Sequence, residues 1–321
     1  MNETIFQILV KLSGLNYIDG TTISNQLGIT LAVVWRAIEK LQREHYFTIE
    51  VDLRKGYRLM EPLIILDQKL ISAEIKYKGV LIECFSIIDS TNTYVQNSRS
   101  THAYHICIAE QQTRGKGRFD RTWSSPLAQN LYFSIKVNLH KGLSELSGLS
   151  LAVSVSITKT LSEIFPKLDI KIKWPNDIYV SNKKISGVLI EVKAESHVKS
   201  QIVIGVGINV NMRINHTILQ EWSSLANELN SYIDRNSLAS ILINSLIQSL
   251  QCFELEGFNS FNVDYDCYDY LKGKLVSLSI LNSREVISGI ANGVNELGQL
   301  TLIVKGKKQV FSSGEVSIIK R

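Results

Sequence analysis

The sequence predicts an α+β fold in three parts: a winged helix-turn-helix head, a larger mixed-sheet unit and a small β-barrel tail. Three observations predict it. The first sixty residues read as short helices with apolar positions at helical spacing, followed by a hairpin. Between residues 63 and 268 strand-like runs outnumber helix-like ones and several follow one another directly, which argues for a mixed sheet rather than a doubly wound one. The final fifty residues carry only short alternating runs separated by polar and glycine turns. The expected units are 1–62, 63–268 and 269–321.

In the head, Ile5, Leu9 and Leu12 mark a first helix. A second starts near Thr22, buries Ile23 and Leu27 and stops at Gly28, where glycine takes the left-handed turn cheaply. Thr30 is a natural N-cap for a third, which turns Val33, Val34, Ala37, Ile38 and Leu41 inward. Trp35, Arg36, Glu39, Lys40 and Arg43 stay on or near its outer side. Residues 47–52 alternate like a strand, Arg54-Lys55-Gly56 turns, and Tyr57-Arg58-Leu59 returns, as in a wing. Lys and Arg number seven against seven Asp and Glu over residues 1–65. A neutral head is an awkward DNA binder, because phosphate neutralisation supplies much of the affinity. Clusters at Arg36, Lys40 and Arg43 and at Arg54, Lys55 and Arg58 restore local positive charge; a packing domain without a DNA role is the alternative.

Glu61-Pro62 marks a boundary. Beyond it, strands are expected at 81–88, 105–110, 131–137, 170–174, 185–192 and 201–208, with helices at 91–97, 143–165 and 237–256. Four runs in the tail, 274–280, 285–294, 299–304 and 309–318, read as strands. Of the 321 residues, 45% are hydrophobic and 20% charged, enough for a large core, and the net charge of +5 permits an anionic partner without demanding one. The four cysteines, Cys84, Cys107, Cys252 and Cys267, form no CxxC pair, so neither a zinc cage nor a disulfide framework is indicated. No signal peptide or membrane-spanning run is expected, which implies a soluble cytoplasmic protein with no membrane partner.

Five segments carry potential chemistry. Arg114-Gly115-Lys116-Gly117-Arg118 combines two glycines, which permit close backbone approach, with three cations suited to phosphate or carboxylate. It is no Rossmann loop, since Asp120 stands where the third glycine belongs and Ser124-Ser125-Pro126 forbids a following helix. A solvated basic hairpin is the alternative. Lys173-Trp174-Pro175-Asn176-Asp177 places polar groups at a strand end, as an ordinary turn would also do. Lys184-Ile185-Ser186-Gly187 opens an apolar strand with a lysine. Gly205-Val206-Gly207-Ile208-Asn209 ends a strand with glycines and an amide. Asp89-Ser90-Thr91-Asn92 fits helix capping as well as ligand binding.

Each segment is ambiguous alone, but their joint order is not. Residues 110–123 (EQQTRGKGRFDRTW), KWPND at 173–177, KISG at 184–187, the GxGxN run and the leading STN resemble the biotin protein ligases, in particular the bifunctional class that also represses biotin synthesis genes. The resemblance spans essentially the whole chain. It implies a catalytic domain of the biotin/lipoate ligase type and an SH3-like barrel at the end. It also implies two steps: biotin's carboxylate attacks the α-phosphate of ATP to give biotinyl-5′-AMP, and a lysine of a biotin carboxyl-carrier protein then attacks that anhydride.

Residue by residue, the resemblance implies that Lys184 bridges the carboxylate and the α-phosphate, that Arg118 retains the adenylate, and that Asp177 orients or deprotonates the incoming amine. Ser90, Thr91, Asn92 and Gln112 match positions that bind the neutral ureido head of biotin; Gly115, Lys116, Gly117, Trp123, Gly187 and Gly205 complete that pocket. Arg121, Lys173, Asn176, Asn209 and Trp222 match positions toward the nucleotide. Mg2+ is implied by ATP, with no ligand set readable. Thr30, Trp35, Arg36, Lys40, Arg43, Arg54 and Lys55 would face operator DNA, bound by a homodimer that forms with the adenylate. Lys116 and Asp120 depart from the family's usual arginine and glycine. The rival readings are a lipoate or octanoate ligase, a transcription factor that only senses biotin, and a ligase whose head no longer binds DNA.

Overall fold

The computed structural model describes residues 2–194, 199–280 and 285–319. Three helices, α1 (Asn2–Leu12), α2 (Gly20–Leu27) and α3 (Leu31–Arg43), and a hairpin of β1 (Ile49–Asp52) and β2 (Gly56–Leu59) form the head. Local chemistry sets their ends. The Asp19 carboxylate accepts from the first amides of α2, Gly28 closes it at φ 63°, and Thr30 accepts from Val33 N at the start of α3. The buried face of α3 is Val34, Ala37, Ile38 and Leu41. Val33, expected inside, is exposed because it lies about 100° around the helix from Val34. Several head cations are paired internally: Arg43 with Glu39 at 2.9 Å, Lys40 with Glu44 at 3.3 Å and Arg58 with Glu50 at 2.5 Å.

The larger unit contains α4 (Gln68–Ala73), β3 (Val80–Ile88), α5 (Thr91–Asn97), β4 (Tyr104–Gln112), β5 (Leu131–Leu139), α6 (Leu149–Ile164), β6 (Ile170–Lys173), β7 (Asp177–Val180), β8 (Lys183–Ala194), β9 (Ser200–Ile208), α7 (Leu225–Leu229), α8 (Arg235–Glu256) and α9 (Asn262–Tyr268). Its seven strands run in the order β3-β4-β5-β9-β8-β7-β6. β3 and β4 are parallel and every other pair is antiparallel, so the sheet is mixed, as expected. α6 and α8 cover one face with a continuous apolar core, while α5 packs Val95 against Cys107 and Val203 on the other.

The expected helix at 143–165 is interrupted: Gly148, at φ 79°, separates a short 3-10 turn from α6. A Cβ there would lie 2.6 Å from Phe258. The strand β7 and the helices α4, α7 and α9 were not expected; each is four to seven residues long, too short for periodicity to reveal. Arg235–Tyr268 is long and apolar enough to cross a membrane, yet half of its most apolar window is buried within the protein.

The tail holds β10 (Leu275–Ser279), β11 (Val286–Val294), β12 (Leu300–Val304), β13 (Lys307–Phe311) and β14 (Glu315–Ile318), antiparallel in the order β13-β12-β11-β10-β14. The single run expected at 309–318 is two strands, because Ser312–Gly314 leads the chain from β12's edge across to β10. Trp174 Nε1 donates to Gly298 O at 3.0 Å, and Tyr270 N donates to Ile172 O, so the tail is fastened beside the β6–β7 hairpin.

A buried ion pair joins the segment after the head, the sheet and α8. Arg235 is fully buried; it donates to Glu110 Oε2 at 2.7 Å, to Asn130 O at 2.9 Å and to Ile64 O, while Leu66 N donates to Glu110 Oε1 at 2.6 Å. The segment after the head is thereby pinned to the sheet, and Leu127 and Ala128 complete the head's core. Arg235→Ala leaves Glu110 as an unpaired buried charge. It should lower the unfolding free energy by about 3–5 kcal/mol, read as a reduced urea midpoint.

Candidate functional site

One cavity on the α5 face of the sheet collects nearly all of these segments. Its floor consists of adjacent strands: Gly187 of β8 pairs with Gly207 of β9, and Gly205 pairs with Leu189 on one side and Ser134 on the other. The glycines leave room for two side chains lying flat on the sheet. A Cβ at Gly207 would fall 2.4 Å from the Trp123 ring, and one at Gly205 would fall 2.2 Å from Asn92 Oδ1. Trp123 Nε1 is buried and has no hydrogen-bond partner among the described residues.

One end of the cavity is neutral. Ser90 caps α5, accepting from Thr93 N. Thr91 N and Oγ1 both lie within hydrogen-bond distance of Gln112 Oε1, at 2.9 and 3.1 Å, and Gln112 Nε2 donates to Ser125 Oγ at 3.0 Å. Ser134 Oγ lies 2.6 Å from Thr91 Oγ1 and 2.5 Å from Asn92 Oδ1. Such a cluster of amides and hydroxyls suits an uncharged polar group with both donors and acceptors.

The other end is cationic. Arg118, Arg121, Lys173 and Lys184 lie there with the carboxylates of Asp177 and Glu315, while Lys116 lines the cavity on the side of Glu191. Lys184 Nζ lies 2.7 Å from Asp177 Oδ1 and 5.4 Å from the centre of the Trp123 ring. Arg118 donates to Asn176 Oδ1 at 3.0 Å, and Asn176 Nδ2 is in turn fixed on Val188 O at 2.7 Å. Burial lowers the pKa of both Arg118 and Lys173; Asp177 opposes the shift in each. Four cations facing two carboxylates in a partly desolvated space favour an anionic ligand.

The loop supplying Lys116, Arg118 and Arg121 folds back on itself: Lys116 bridges Thr122, and Gly117 N donates to Arg121 O at 2.7 Å. At its tip Phe119 and Asp120 both have left-handed φ, 58° and 56°, where side chains other than glycine are strained. Gly115 lies outside the main cavity, in a shallower hollow behind the loop; a Cβ there would meet Trp123 O at 2.5 Å, so its absence lets the loop close on its own stem.

Of the other expected residues, Asn209 and Trp222 do not line the cavity. Asn209 is buried, with Nδ2 donating to Ser223 O at 3.0 Å and its backbone amide to Ile185 O at 2.8 Å. The backbone of Trp222 bridges Lys184. Both therefore brace the strand that carries Lys184. Glu315 of β14 was not foreseen: it forms an ion pair with Arg121 at 2.6 Å and brings the tail to the cavity's rim. Glu191, behind the neutral cluster, was also missed. Among the described residues no group of three His, Cys, Asp or Glu side chains is placed to hold a metal ion.

In the head, Thr30 serves as a cap, Trp35 is 59% exposed, and Arg36, Arg54 and Lys55 have no ion pair among the described residues. Arg43 is held by Glu39 on the same helix and Lys40 by Glu44 just past its end.

A family model described as the biotin/lipoate A/B protein ligase family matches residues 84–209. The bifunctional ligase/repressor BirA of Escherichia coli (strain K12) is 32% identical over 323 residues, covering 99% of this chain and 98% of its own length. The protein of the same name from Bacillus subtilis (strain 168) is 27% identical, over 98% of both chains. Among solved structures, a biotin protein ligase from Aquifex aeolicus in complex with biotin and ATP aligns with a TM-score of 0.64 at 26% identity, covering 76% of this chain and 100% of that one.

The glycine floor is open to test. Gly207→Ala should force Trp123 off the sheet and cost about 1–3 kcal/mol of stability through overpacking. Urea unfolding measures the loss, and a crystal structure of the variant shows the displaced ring; an unmoved indole with unchanged stability would contradict this account.

Proposed function

The chain belongs to the family of bifunctional biotin protein ligase/repressors, and from that premise we propose that the cavity activates biotin with ATP and passes it to a lysine of a biotin carboxyl-carrier protein. The observation that carries this reading is the cavity's division into a neutral hydrogen-bonding end and a cationic end. A cyclic urea fits the first, and the meeting of a carboxylate with a triphosphate needs the second.

The chemistry follows from that division. Two anions repel, so their approach requires positive charge fixed where they meet. Lys184 stands between the two ends and bridges the biotin carboxylate and the α-phosphate; as they bind, its ammonium exchanges its contact with Asp177 for the substrates. A carboxylate oxygen forms the new bond to α-phosphorus, the bond from α-phosphorus to the β-phosphate bridging oxygen breaks, and pyrophosphate leaves. Arg118, Arg121, Lys173 and Asn176 hold the nucleotide. Trp123 walls the pocket, and the loop at 115–121 covers the adenylate and excludes water. In the second step the carrier's lysine amine attacks the acyl carbon, AMP departs, and Asp177 orients the amine and takes its proton. Mg2+ would enter with the phosphates of ATP and offset their charge beside Asp177.

The head acts as a winged helix-turn-helix that binds operator DNA. Its contact surface consists of Trp35, Arg36, Arg54 and Lys55, with Thr30 fixing the start of α3; Lys40 and Arg43 join it by exchanging Glu44 and Glu39 for phosphate. The tail acts as an SH3-like barrel, contributing Glu315 to the loop. A homodimer forms with the adenylate and presents two heads to a two-fold operator. The outer edge of β8 supports this: β7 pairs only with residues 183–187, so among the described residues 189–194 have a strand neighbour on the β9 side alone. The protein works in the cytoplasm, beside its carrier.

Transfer of labelled biotin from ATP-activated mixtures to a purified biotin-accepting domain tests the central reading, with lipoate and octanoate as controls; failure with biotin but transfer of another acid would overturn it. Lys184→Ala should reduce adenylate formation by about 10²–10³-fold or more, as pyrophosphate release shows. Arg118→Gly should form the adenylate but release it early; full retention would remove Arg118 from this role. A gel shift with biotin-operon operator DNA, with and without biotin and ATP, tests the head; no shift under either condition would leave a ligase alone.

A further inference from the structure

Resting on the biotin reading above, we propose that Glu191 is a positioning residue that fixes the donor–acceptor polarity of the biotin pocket and, with its second oxygen, holds the glycine loop through Lys116. Glu191 lies on β8 and does not line the main cavity, so whatever it does there passes through its neighbours. Its Oε2 accepts from Asn92 Nδ2 at 2.6 Å, and its Oε1 lies 3.8 Å from Lys116 Nζ. One carboxylate thus touches both the neutral cluster and the loop beside it.

The first contact decides which way an ambiguous amide points. Asn92 is buried, and either orientation of its amide fills the same space. An ionised carboxylate only accepts hydrogen bonds. It draws the NH2 group toward itself and turns Oδ1 toward Ser134 Oγ, over the bare Gly205. The pocket therefore presents an acceptor at its floor, which suits the N–H groups of a cyclic urea. The flipped amide would set a carbonyl against the carboxylate and offer a donor where the ligand also donates.

The second contact is weaker. At 3.8 Å and with Lys116 44% exposed, the pair is loose and separable. A phosphate that reaches the loop would compete with Glu191 for the same ammonium. Glu191 therefore restrains Lys116 until the nucleotide arrives, and its charge opposes retention of the adenylate.

The two roles separate by substitution in the full-length protein. Biotin affinity is measured by calorimetry, and adenylate release by trapping biotinyl-5′-AMP from preloaded enzyme. Glu191→Ala should weaken biotin binding about tenfold, the scale of one hydrogen bond to a charged group. Glu191→Gln, whose amide oxygen still accepts from Asn92, should recover most of that affinity while slowing adenylate release about threefold, because Lys116 is freed. In a Lys116→Met background the same Gln substitution should leave release unchanged. The proposal is overturned if Glu191→Ala binds biotin within about twofold of the unaltered protein, if Gln recovers nothing, or if Gln slows release equally without Lys116. Should Glu191→Ala fail to fold, the Gln variant alone and in the Lys116→Met background still decides the loop contact. Absence of biotin binding by the unaltered protein would overturn the underlying functional reading instead, a result distinct from all of these.

Discussion

Unbalanced positive charge in a partly buried cavity is the constraint around which the protein is arranged. Arg118 and Lys173 remain in place although burial works against their charged forms. Neighbouring atoms make this tolerable: Asn176 holds the Arg118 guanidinium, Asp177 neutralises Lys184, and Tyr179 lies under Lys173 at 5.5 Å. A cavity prepared in this way stores the electrostatic interaction that an anionic ligand completes, so little reorganisation is left for the moment of binding.

The sheet beneath serves the same end. Glycines on β8 and β9 remove side chains where Trp123 and Asn92 must lie flat, and the β6–β7 hairpin and β8 deliver Lys173, Asp177 and Lys184 to one rim. Asn209 and the backbone of Trp222 reinforce β8 from outside the cavity. The head meets this frame through Leu127, Ala128 and Gln129, whose Nε2 donates to His45 O at 2.6 Å, and through His216, which packs edge-on against Tyr46 at 5.5 Å.

Much of this was legible in the sequence because the site is built from strand ends, and strand ends announce themselves: glycines where a backbone must approach closely, a proline at a bend, a lysine opening an apolar run. The mixed sheet, the helix caps at Thr30 and Gly28 and the cations at 116, 118 and 184 were readable for that reason. Glu191 and Glu315 were not. Each acts through a partner far away in the chain, Asn92 for one and Arg121 for the other, and no local spacing encodes such a meeting. Asn209 looked like a ligand group because a polar residue beyond a glycine strand resembles one; in space it braces the backbone. The short strand β7 was hidden inside what reads as a turn, and the break before α6 depends on Phe258 crowding Gly148 from the other end of the unit.

The most direct test of the converging cations is a crystal structure with a non-hydrolysable biotinyl-adenylate analogue. The account predicts the Lys184 ammonium released from Asp177 and, together with the Arg118 guanidinium, within hydrogen-bond distance of the acyl-phosphate linkage, with the ureido ring against Asn92 and Gln112. An analogue bound elsewhere, or a Lys184 still paired with Asp177 and remote from the linkage, would contradict it.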